Sequence, residues 1–342
     1  MKATIYGFIL MCMMSLDGCG DSANIAKLSG VSAGAILTST DHGNTWKSQV
    51  SGTTAELNNV TFGNNQFVAV GASGTILTSS DGVTWIGRTS GTSFNLYGAT
   101  YGTVGNGLFV VVGDGGTILT SPDGITWTTQ ASSPISTQLI GVTFANGQFV
   151  AVGYSGIMYS SDGVNWNSVA TQSSGITGPT VDLYSVAFGN NRFVTVGTYN
   201  TSTSNQEITY NGLIGTSPDG STWTTLPYTS NYLSGVTYGG GQFVAVGREG
   251  SILTSPDGAT WTPQTAAPIA NSTLTPYLIS VIYSAGDGQY VAVGNYVGAN
   301  PSTGFILTSS DGKNWNMATT GTTSDFYGIC YGASTYVAVG GQ

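Results

Sequence analysis

This chain has very few charged residues, one histidine and three cysteines among its 342 residues. Charged residues make up only 7% and the formal net charge is −9, so no cluster of Lys and Arg exists to neutralise nucleic-acid phosphates. The single histidine, His42, lies in a repeated turn, which excludes Ser-His-Asp catalysis and histidine-rich metal sites. Cys12, Cys19 and Cys330 are too few for a disulfide framework. The composition therefore predicts neither a cofactor nor a nucleic-acid partner.

The first twenty residues differ from the rest of the chain. Lys2 precedes an apolar run from Ala3 to Leu16, which is too short to span a bilayer and is typical of a signal peptide. Residues 16–19, Leu-Asp-Gly-Cys, are similar to a bacterial lipobox, so lipidation of Cys19 and ordinary secretion are both open. We therefore predict a signal peptide at 1–20, a short linker at 21–30 and one domain at 31–342. The expected location is the exterior, cell surface or periplasm of a bacterium, with membrane contact only through Cys19.

A short motif ending in Trp occurs seven times and uses all seven tryptophans. The copy at 79–85 reads SSDGVTW, and the copy at 39–46 carries one extra residue. An Asp in a tight turn accepts hydrogen bonds from the following backbone amides, and Gly supplies the positive φ that the turn requires. A feature made seven times predicts a structural role. Its Asp and Trp residues are Asp41, Trp46, Asp81, Trp85, Asp123, Trp127, Asp162, Trp166, Asp219, Trp223, Asp257, Trp261, Asp311 and Trp315.

The spacing between successive tryptophans predicts an all-β fold, a seven-bladed β-propeller of four-stranded antiparallel blades. The spacings are 39, 42, 39, 57, 38 and 54 residues, the length of propeller blades. Each unit contains four short strand-like runs, and the second is apolar at consecutive positions, as expected of a strand buried on both faces. The chain begins with third and fourth strands and ends with first and second strands. We therefore expect Ala35–Ser39 to pair with Tyr336–Val339 in a blade shared by the two ends.

The segment Ser39-Thr-Asp-His-Gly-Asn-Thr-Trp46 resembles the Asp-box, or BNR repeat, S-x-D-x-G-x-T-W. That motif is shared by sialidases, some glycoside hydrolases, sortilin-type receptors and photosystem assembly propellers. The other six copies are one residue shorter. The resemblance implies a propeller with Asp-box turns. The sequence departs from two of these families in ways that argue against their specific functions. Sialidases bind their acidic sugar with three arginines, whereas among Arg88, Arg192 and Arg248 only Arg248 maps to the candidate face. The basic patch expected of a photosystem assembly factor is also missing.

Strand alternation places the candidate site on one face of the ring. The loops between second and third strands, and the links between blades, share this loop-rich face, while the Asp-Gly turns lie on the opposite turn face. Long insertions at Thr198–Gly212 and Asn295–Gly304 are expected to form loops that flank blade five. Tyrosine suits stacking on sugar rings or protein contacts, although locally packed tyrosines are the alternative. The predicted ligand-binding residues are Tyr154, Tyr199, Tyr210, Tyr232, Arg248, Glu249 and Tyr296.

Two functions from different classes follow. The first is a secreted or surface-anchored binding propeller that recognises glycans or an extracellular protein partner. The alternative is a glycoside hydrolase that uses a carboxylate pair on the same face. Glu207 and five other carboxylates map to this face, and the candidates for the pair are Glu56, Asp114, Asp182, Glu249 and Asp325.

Overall fold

The computed structural model describes residues 34–130, 134–154, 156–170, 180–202, 208–226, 232–264, 274–298 and 303–341. The predicted signal peptide and linker, with Cys12 and Cys19, lie outside this range. The described residues form 28 strands in seven four-stranded antiparallel sheets. This arrangement confirms the predicted all-β, seven-bladed propeller. No helix within these ranges is long and apolar enough to cross a membrane.

Blades one to six each consist of four consecutive strands. Blade one contains β3 (Leu57–Gly63), β4 (Gln66–Gly71), β5 (Ile76–Ser79) and β6 (Ile86–Arg88), and blade two β7 (Leu96–Gly102), β8 (Leu108–Gly113), β9 (Ile118–Ser121) and β10 (Thr128–Thr129). Blade three contains β11 (Leu139–Ala145), β12 (Gln148–Gly153), β13 (Gly156–Ser160) and β14 (Asn167–Ala170), and blade four β15 (Thr180–Gly189), β16 (Arg192–Ser202), β17 (Ile208–Ser217) and β18 (Thr224–Leu226). Blade five contains β19 (Leu233–Gly239), β20 (Gln242–Gly247), β21 (Ile252–Ser255) and β22 (Thr262–Gln264), and blade six β23 (Thr275–Ser284), β24 (Gln289–Val297), β25 (Gly304–Ser309) and β26 (Asn316–Met317). Single turns of 3-10 helix at Ala72–Gly74 and Asp114–Gly116 connect second and third strands.

The seventh blade combines strands from both parts of the chain. Its members are β1 (Gly34–Ser39), β2 (Lys47–Gln49), β27 (Asp325–Gly332) and β28 (Thr335–Gly341), in the order β2-β1-β28-β27. Strand β1 pairs antiparallel with β28, and the register runs from Ala35 opposite Gly340 to Ser39 opposite Tyr336. The predicted pairing of these two segments is therefore present. Cys330 lies buried in β27, and burial raises the pKa of its thiol.

The core of the ring lies between neighbouring blades. The second strand of each blade is buried on both faces, as in β4, where Phe67, Val68, Ala69 and Val70 are all inaccessible to solvent. At the end of a first strand, a glycine lets an aromatic ring of the next blade approach the backbone. A Cβ atom added at Gly189 would lie 1.9 Å from the ring of Tyr238. The inter-blade packing therefore needs glycine at this position.

The seven Asp-Gly turns join the third and fourth strands of their blades through one recurring set of hydrogen bonds. In blade one, Asp81 Oδ1 accepts from the backbone N–H groups of Val83 and Thr84, each at 2.8 Å. These bonds lower the pKa of Asp81 to about 2. Gly82 has a φ of 75°, and its carbonyl accepts the indole N–H of Trp85 at 2.9 Å. In the longer copy, the turn accommodates its extra residue at His42, whose φ of 60° lies in the left-handed region.

The tryptophans differ in burial, which separates their expected contributions to stability. Trp223 is 2% exposed, whereas the ring of Trp127 is only partly buried. We expect Trp223→Ala to lower the free energy of unfolding by about 3–5 kcal/mol, because it leaves a cavity between blades three and four. Trp127→Ala should lower it by less. Urea denaturation of the two variants and the wild type measures both changes. Equal losses at the two positions would contradict the dependence of this contribution on the burial of the ring.

Candidate functional site

The first strand of every blade contains one β-bulge near its start. In blade one the register passes from Leu57 to Asn59, which leaves Asn58 outside the ladder. The same shift occurs between Leu or Phe and the second residue after it in all seven blades. A bulge re-aims the side chain of its extra residue. The seven bulge residues are Asn58, Tyr97, Ile140, Tyr184, Ser234, Ile279 and Tyr327.

All seven bulge residues line one cavity of about 180 Å³. Each lies in the innermost strand of its blade, near the end of the strand that adjoins the loop-rich face. The cavity is therefore the mouth of the central channel on the predicted face. Its remaining walls include the aliphatic side chains of Val142 and Val186, together with Tyr277 and Asn295 from blade six.

The tyrosine hydroxyls of the bulge ring are held by neighbours where the structure gives their partners. The hydroxyl of Tyr184 lies 3.0 Å from the Thr198 hydroxyl, and that of Tyr97 donates to Asp114 Oδ2 at 3.4 Å. Ser234 Oγ donates to the carbonyl of Leu278 at 2.5 Å. Burial raises the pKa of Tyr97 and Tyr184, which keeps both phenols protonated. The ring therefore presents apolar aromatic surface more than unused polar groups.

Three of the residues predicted to bind ligand lie around this mouth. The ring of Tyr232 stacks on Tyr184 with 6.5 Å between centroids and 12° between planes. The guanidinium of Arg248 lies 6.0 Å from the Tyr232 ring centroid, within cation–π distance. Burial, then Asp182 and the hydroxyls of Tyr97, Tyr277 and Tyr232, raise the pKa of Tyr154. Tyr154, Tyr232 and Arg248 thus extend the tyrosine mouth outward over blades three to five.

The two long insertions were predicted to be loops, and that prediction was wrong for their described residues. Strand β16 has eleven residues where β20 of blade five has six, and it pairs with β17 as far as Ser202 opposite Ile208. At about 3.3 Å per residue, the five additional residues make β16 about 16 Å longer than β20. Strand β24 of blade six is extended in the same way, with Asn295 opposite Gly304. Because the inserted residues pair as strands, they lengthen the sheets of blades four and six on either side of blade five.

Consequently, three predicted tyrosines lie in strands rather than loops. Tyr199 lies in β16 and packs on the core between blades three and four. Tyr296 lies in β24, and its ring centroid is 4.8 Å from that of Phe305. Tyr210 lies in β17, paired with Asn200. The structure does not bring Tyr199 and Tyr296 to the bulge ring.

The five candidate carboxylates occupy different environments. Asp325 is buried at the start of β27, and Glu56 is partly buried before β3. Burial, and then the charge of Asp325, raises the pKa of Glu56. Asp114 accepts from the backbone N–H of Asn95 at 3.3 Å, and Glu249 lies exposed at a φ of 57°. Burial raises the pKa of Asp182 to about 6. The charge of Asp325 thus acts on Glu56, as in a carboxylate pair, and neither residue lines the cavity.

The seven repeats contain a sequence signal for the bulge residues, which were not among the predicted site residues. The residue after the repeated Leu or Phe of each first strand varies among Asn, Tyr, Ile and Ser, while its neighbours recur. Variation at one repeat position indicates that the fold does not require a particular side chain there. Internal alignment of the seven repeats would have singled out this position.

No protein-family model matches the chain, and no curated protein sequence matches it. Among solved structures, "YCF48 bound to D1 peptide" superposes with a TM-score of 0.61 at 18% identity, covering 84% of this chain and 89% of that one. YCF48 from Cyanidioschyzon merolae gives 0.60 at 17%, covering 84% and 94%. Virginiamycin B lyase from Staphylococcus aureus gives 0.61 at 12%, covering 90% and 99%. At these identities the likeness shows the propeller fold.

The raised pKa of Asp182 predicts a pH-dependent stability. In the unfolded chain this carboxyl ionises near pH 4, whereas in the folded protein it ionises near pH 6. Folding is therefore progressively disfavoured as pH rises from about 4 to about 6, and the penalty is constant above that range. The gain in melting temperature from Asp182→Asn should grow from pH 4 to pH 6 and then level off. Glu249→Gln, which removes an exposed carboxylate from the same face, is the control. A gain that is the same at pH 4, 6 and 8 would contradict this assignment.

Proposed function

We propose that this protein is a binding propeller that holds a protein partner at the tyrosine-rich mouth of its central channel. The observation that carries this proposal is the convergence of all seven bulge residues on one cavity. Bulges often re-aim side chains beside functional sites. The Leu or Phe before each bulge is buried in the core, whereas the bulge residue pairs with no strand residue and varies from blade to blade. Strand pairing does not constrain the side chain at this position, and the side chain lines the cavity, where a partner can contact it.

A protein partner suits this mouth better than a glycan. Sugars present many hydroxyl groups that need hydrogen-bond partners. The hydroxyls of Tyr97, Tyr184 and Ser234 are already hydrogen-bonded within the protein, to Asp114, Thr198 and Leu278 respectively. The aromatic surface that remains matches the cores of protein interfaces, which are enriched in tyrosine. One structural neighbour is described as bound to a D1 peptide. That ligand belongs to the neighbour, and it supports only the general idea that such a ring can hold a peptide.

The relationship to Asp-box propellers is part of this proposal. It is supported by the hydrogen bonds of the seven turns, in which Ser, Asp, Gly and Trp take the same roles, as in the pair Asp219 and Trp223. Because these turns lie on the face opposite the cavity, they are assigned to stability and not to binding.

The partner is proposed to be extracellular, on the strength of the apolar segment at 3–16 and Cys19. Fractionation of producing bacterial cells tests this part. Recovery of the protein in the envelope, and its release to the periplasm or medium by Cys19→Ser, would support a lipid anchor. Recovery of the wild type in the cytoplasm would contradict export.

Selection from a library of random linear dodecapeptides tests the binding site. The mouth variant carries Tyr184→Ser and Tyr327→Ser, substitutions that the scaffold should accept because blade five has Ser234 at the same position. The control carries Val83→Ala and Ile125→Ala, two exposed apolar residues on the turn face. Peptides selected on the wild type should bind the control equally and the mouth variant at least about ten-fold more weakly, since a buried aromatic contact is worth more than about 1.4 kcal/mol.

Two other outcomes decide against this proposal. Peptides that bind the mouth variant as well as the wild type would place binding elsewhere. Hydrolysis of aryl glycosides that stops on Glu56→Gln would favour the hydrolase, the second candidate. The coupling of Glu56 with Asp325 supports that candidate, because a general acid needs a raised pKa beside a second carboxylate.

A further inference from the structure

A second set of recurring positions forms the rim of the mouth, on the loop-rich side of the bulge ring. Two residues before each bulge, the first strand pairs with the residue that follows the last glycine of the repeated second-strand motif. In blade one, the backbone N–H of Ala72 donates to the carbonyl of Glu56 at 2.9 Å. The equivalent pairing occurs in the other six blades. The charged residues at these rim positions are Glu56, Asp114, Asp182, Arg248 and Asp325.

Charge is distributed unevenly around this rim. Asp325, Glu56 and Asp114 belong to the successive blades seven, one and two, and we call these three residues the acidic arc. The one basic residue of the rim, Arg248, belongs to blade five, and in a ring of seven that blade lies opposite the boundary between blades one and two. The other basic residues of the described chain lie in outermost strands or on the turn face, and they are Lys47, Arg88, Arg192 and Lys313.

Two carboxylates of the acidic arc retain acceptor atoms that no described residue uses. Glu56 is partly buried, and no described group donates to its carboxylate. Asp114 Oδ2 accepts long hydrogen bonds from the Asn95 N–H and the Tyr97 hydroxyl, whereas its Oδ1 accepts none within the described ranges. A partly buried carboxylate without a counter-ion is destabilised, and the nearby charge of Asp325 adds to this cost for Glu56. A cation placed over the arc would offset it.

Aromatic rings adjoin the acidic arc and narrow the kind of cation. Phe94 is 53% exposed, and its ring lies beside Gly115, the residue after Asp114. Tyr97, which donates to Asp114, is the bulge residue of the same blade, so the arc is continuous with the cavity. A guanidinium group pairs with carboxylates through two parallel hydrogen bonds, stacks on aromatic rings and is more weakly hydrated than an ammonium group. Carboxylates beside aromatic rings therefore favour arginine.

The shape of the rim leaves the acidic arc accessible. Blades four and six have lengthened sheets, whereas in blades one and two a single 3-10 turn, Ala72–Gly74 or Asp114–Gly116, follows the second strand directly. The rim is therefore lower at blades one and two than at the blades beside blade five. A segment that approaches the mouth from this lower side passes over the acidic arc.

We propose that the partner protein presents an arginine whose guanidinium pairs with Glu56 and Asp114, while the adjoining part of the same segment occupies the tyrosine-rich mouth. This inference rests on the proposed function and adds the chemistry of the partner. Arg248, on the opposite side of the rim, repels the same arginine. The uneven charge therefore fixes the direction in which the segment lies across the ring.

Replacement of arginine by citrulline tests this proposal without any variant of the protein. Dodecapeptides selected on the wild type should carry an arginine at a fixed position. The tightest binder is synthesised with arginine, with citrulline, which keeps the shape but has no charge, and with lysine at that position. Calorimetry with the full-length protein should show at least about ten-fold weaker binding of the citrulline form, because it leaves the carboxylates without a counter-ion. Equal affinity for the arginine and citrulline forms overturns the proposal, and equal affinity for the lysine form overturns the guanidinium.

Variants of the acidic arc locate the preference. Glu56→Gln combined with Asp114→Asn keeps the shapes of both side chains and removes two charges, so the preference for arginine over citrulline should fall to about one. The control combines Glu249→Gln with Asp287→Asn, which removes two charges at blade five and on the turn face and should keep the full preference. Melting curves establish that both variants are folded. Persistence of the preference in the arc variant overturns the role of Glu56 and Asp114.

The peptide selection separates this inference from the function on which it rests. Peptides that depend on Tyr184 and Tyr327 and carry the fixed arginine support both. Mouth-dependent peptides without a fixed arginine leave the binding function intact and remove the arginine. A selection that yields no mouth-dependent peptide removes both.

Discussion

The close approach of neighbouring blades is the constraint on which the rest of this structure depends. In five of the seven blades an aromatic ring of the next blade lies against the terminal glycine of the first strand, and a methyl group at Gly239 would come within 2.0 Å of Tyr283. In blades three and six this strand ends in Ala145 and Ser284 instead. The close approach lets blades pack face to face, which buries both sides of every second strand. In turn, the innermost strands are held around one axis, and their bulges meet there. The proposed binding surface is therefore a product of inter-blade packing and not of any single loop.

Most of the fold was predictable because its strands and turns recur in seven similar sequence repeats. The apolar second strand, the Asp-Gly turn and the complementary ends each follow from local pattern, and Ala35–Ser39 pairs as expected. The heights of blades four and six were not predictable from the same patterns. Thr198–Gly212 is rich in Ser, Thr and Asn, a composition typical of loops. Pairing of β16 with β17 overrides that composition, because each added residue extends a ladder that already exists.

The candidate site was predicted in part, and the reason differs between residues. Tyr154, Tyr232 and Arg248 were found because strand alternation alone places them on the loop-rich face. The bulge residues were missed because a bulge adds one residue to a strand, and a period-two pattern contains no sign of it.

The bulges give the ring a property that a regular ladder would not have. A residue in a paired strand is tied to the partner across from it, so its replacement disturbs two strands. The backbone of each bulge residue, from Asn58 in blade one to Tyr327 in blade seven, sits outside that pairing, while the side chains of Asn58 and Ser234 donate to carbonyl groups of the next blade. Side chains of different size and chemistry therefore occupy this position without a change of strand register. A ring of seven similar repeats can in this way line its central cavity with seven side chains that do not follow the repeat.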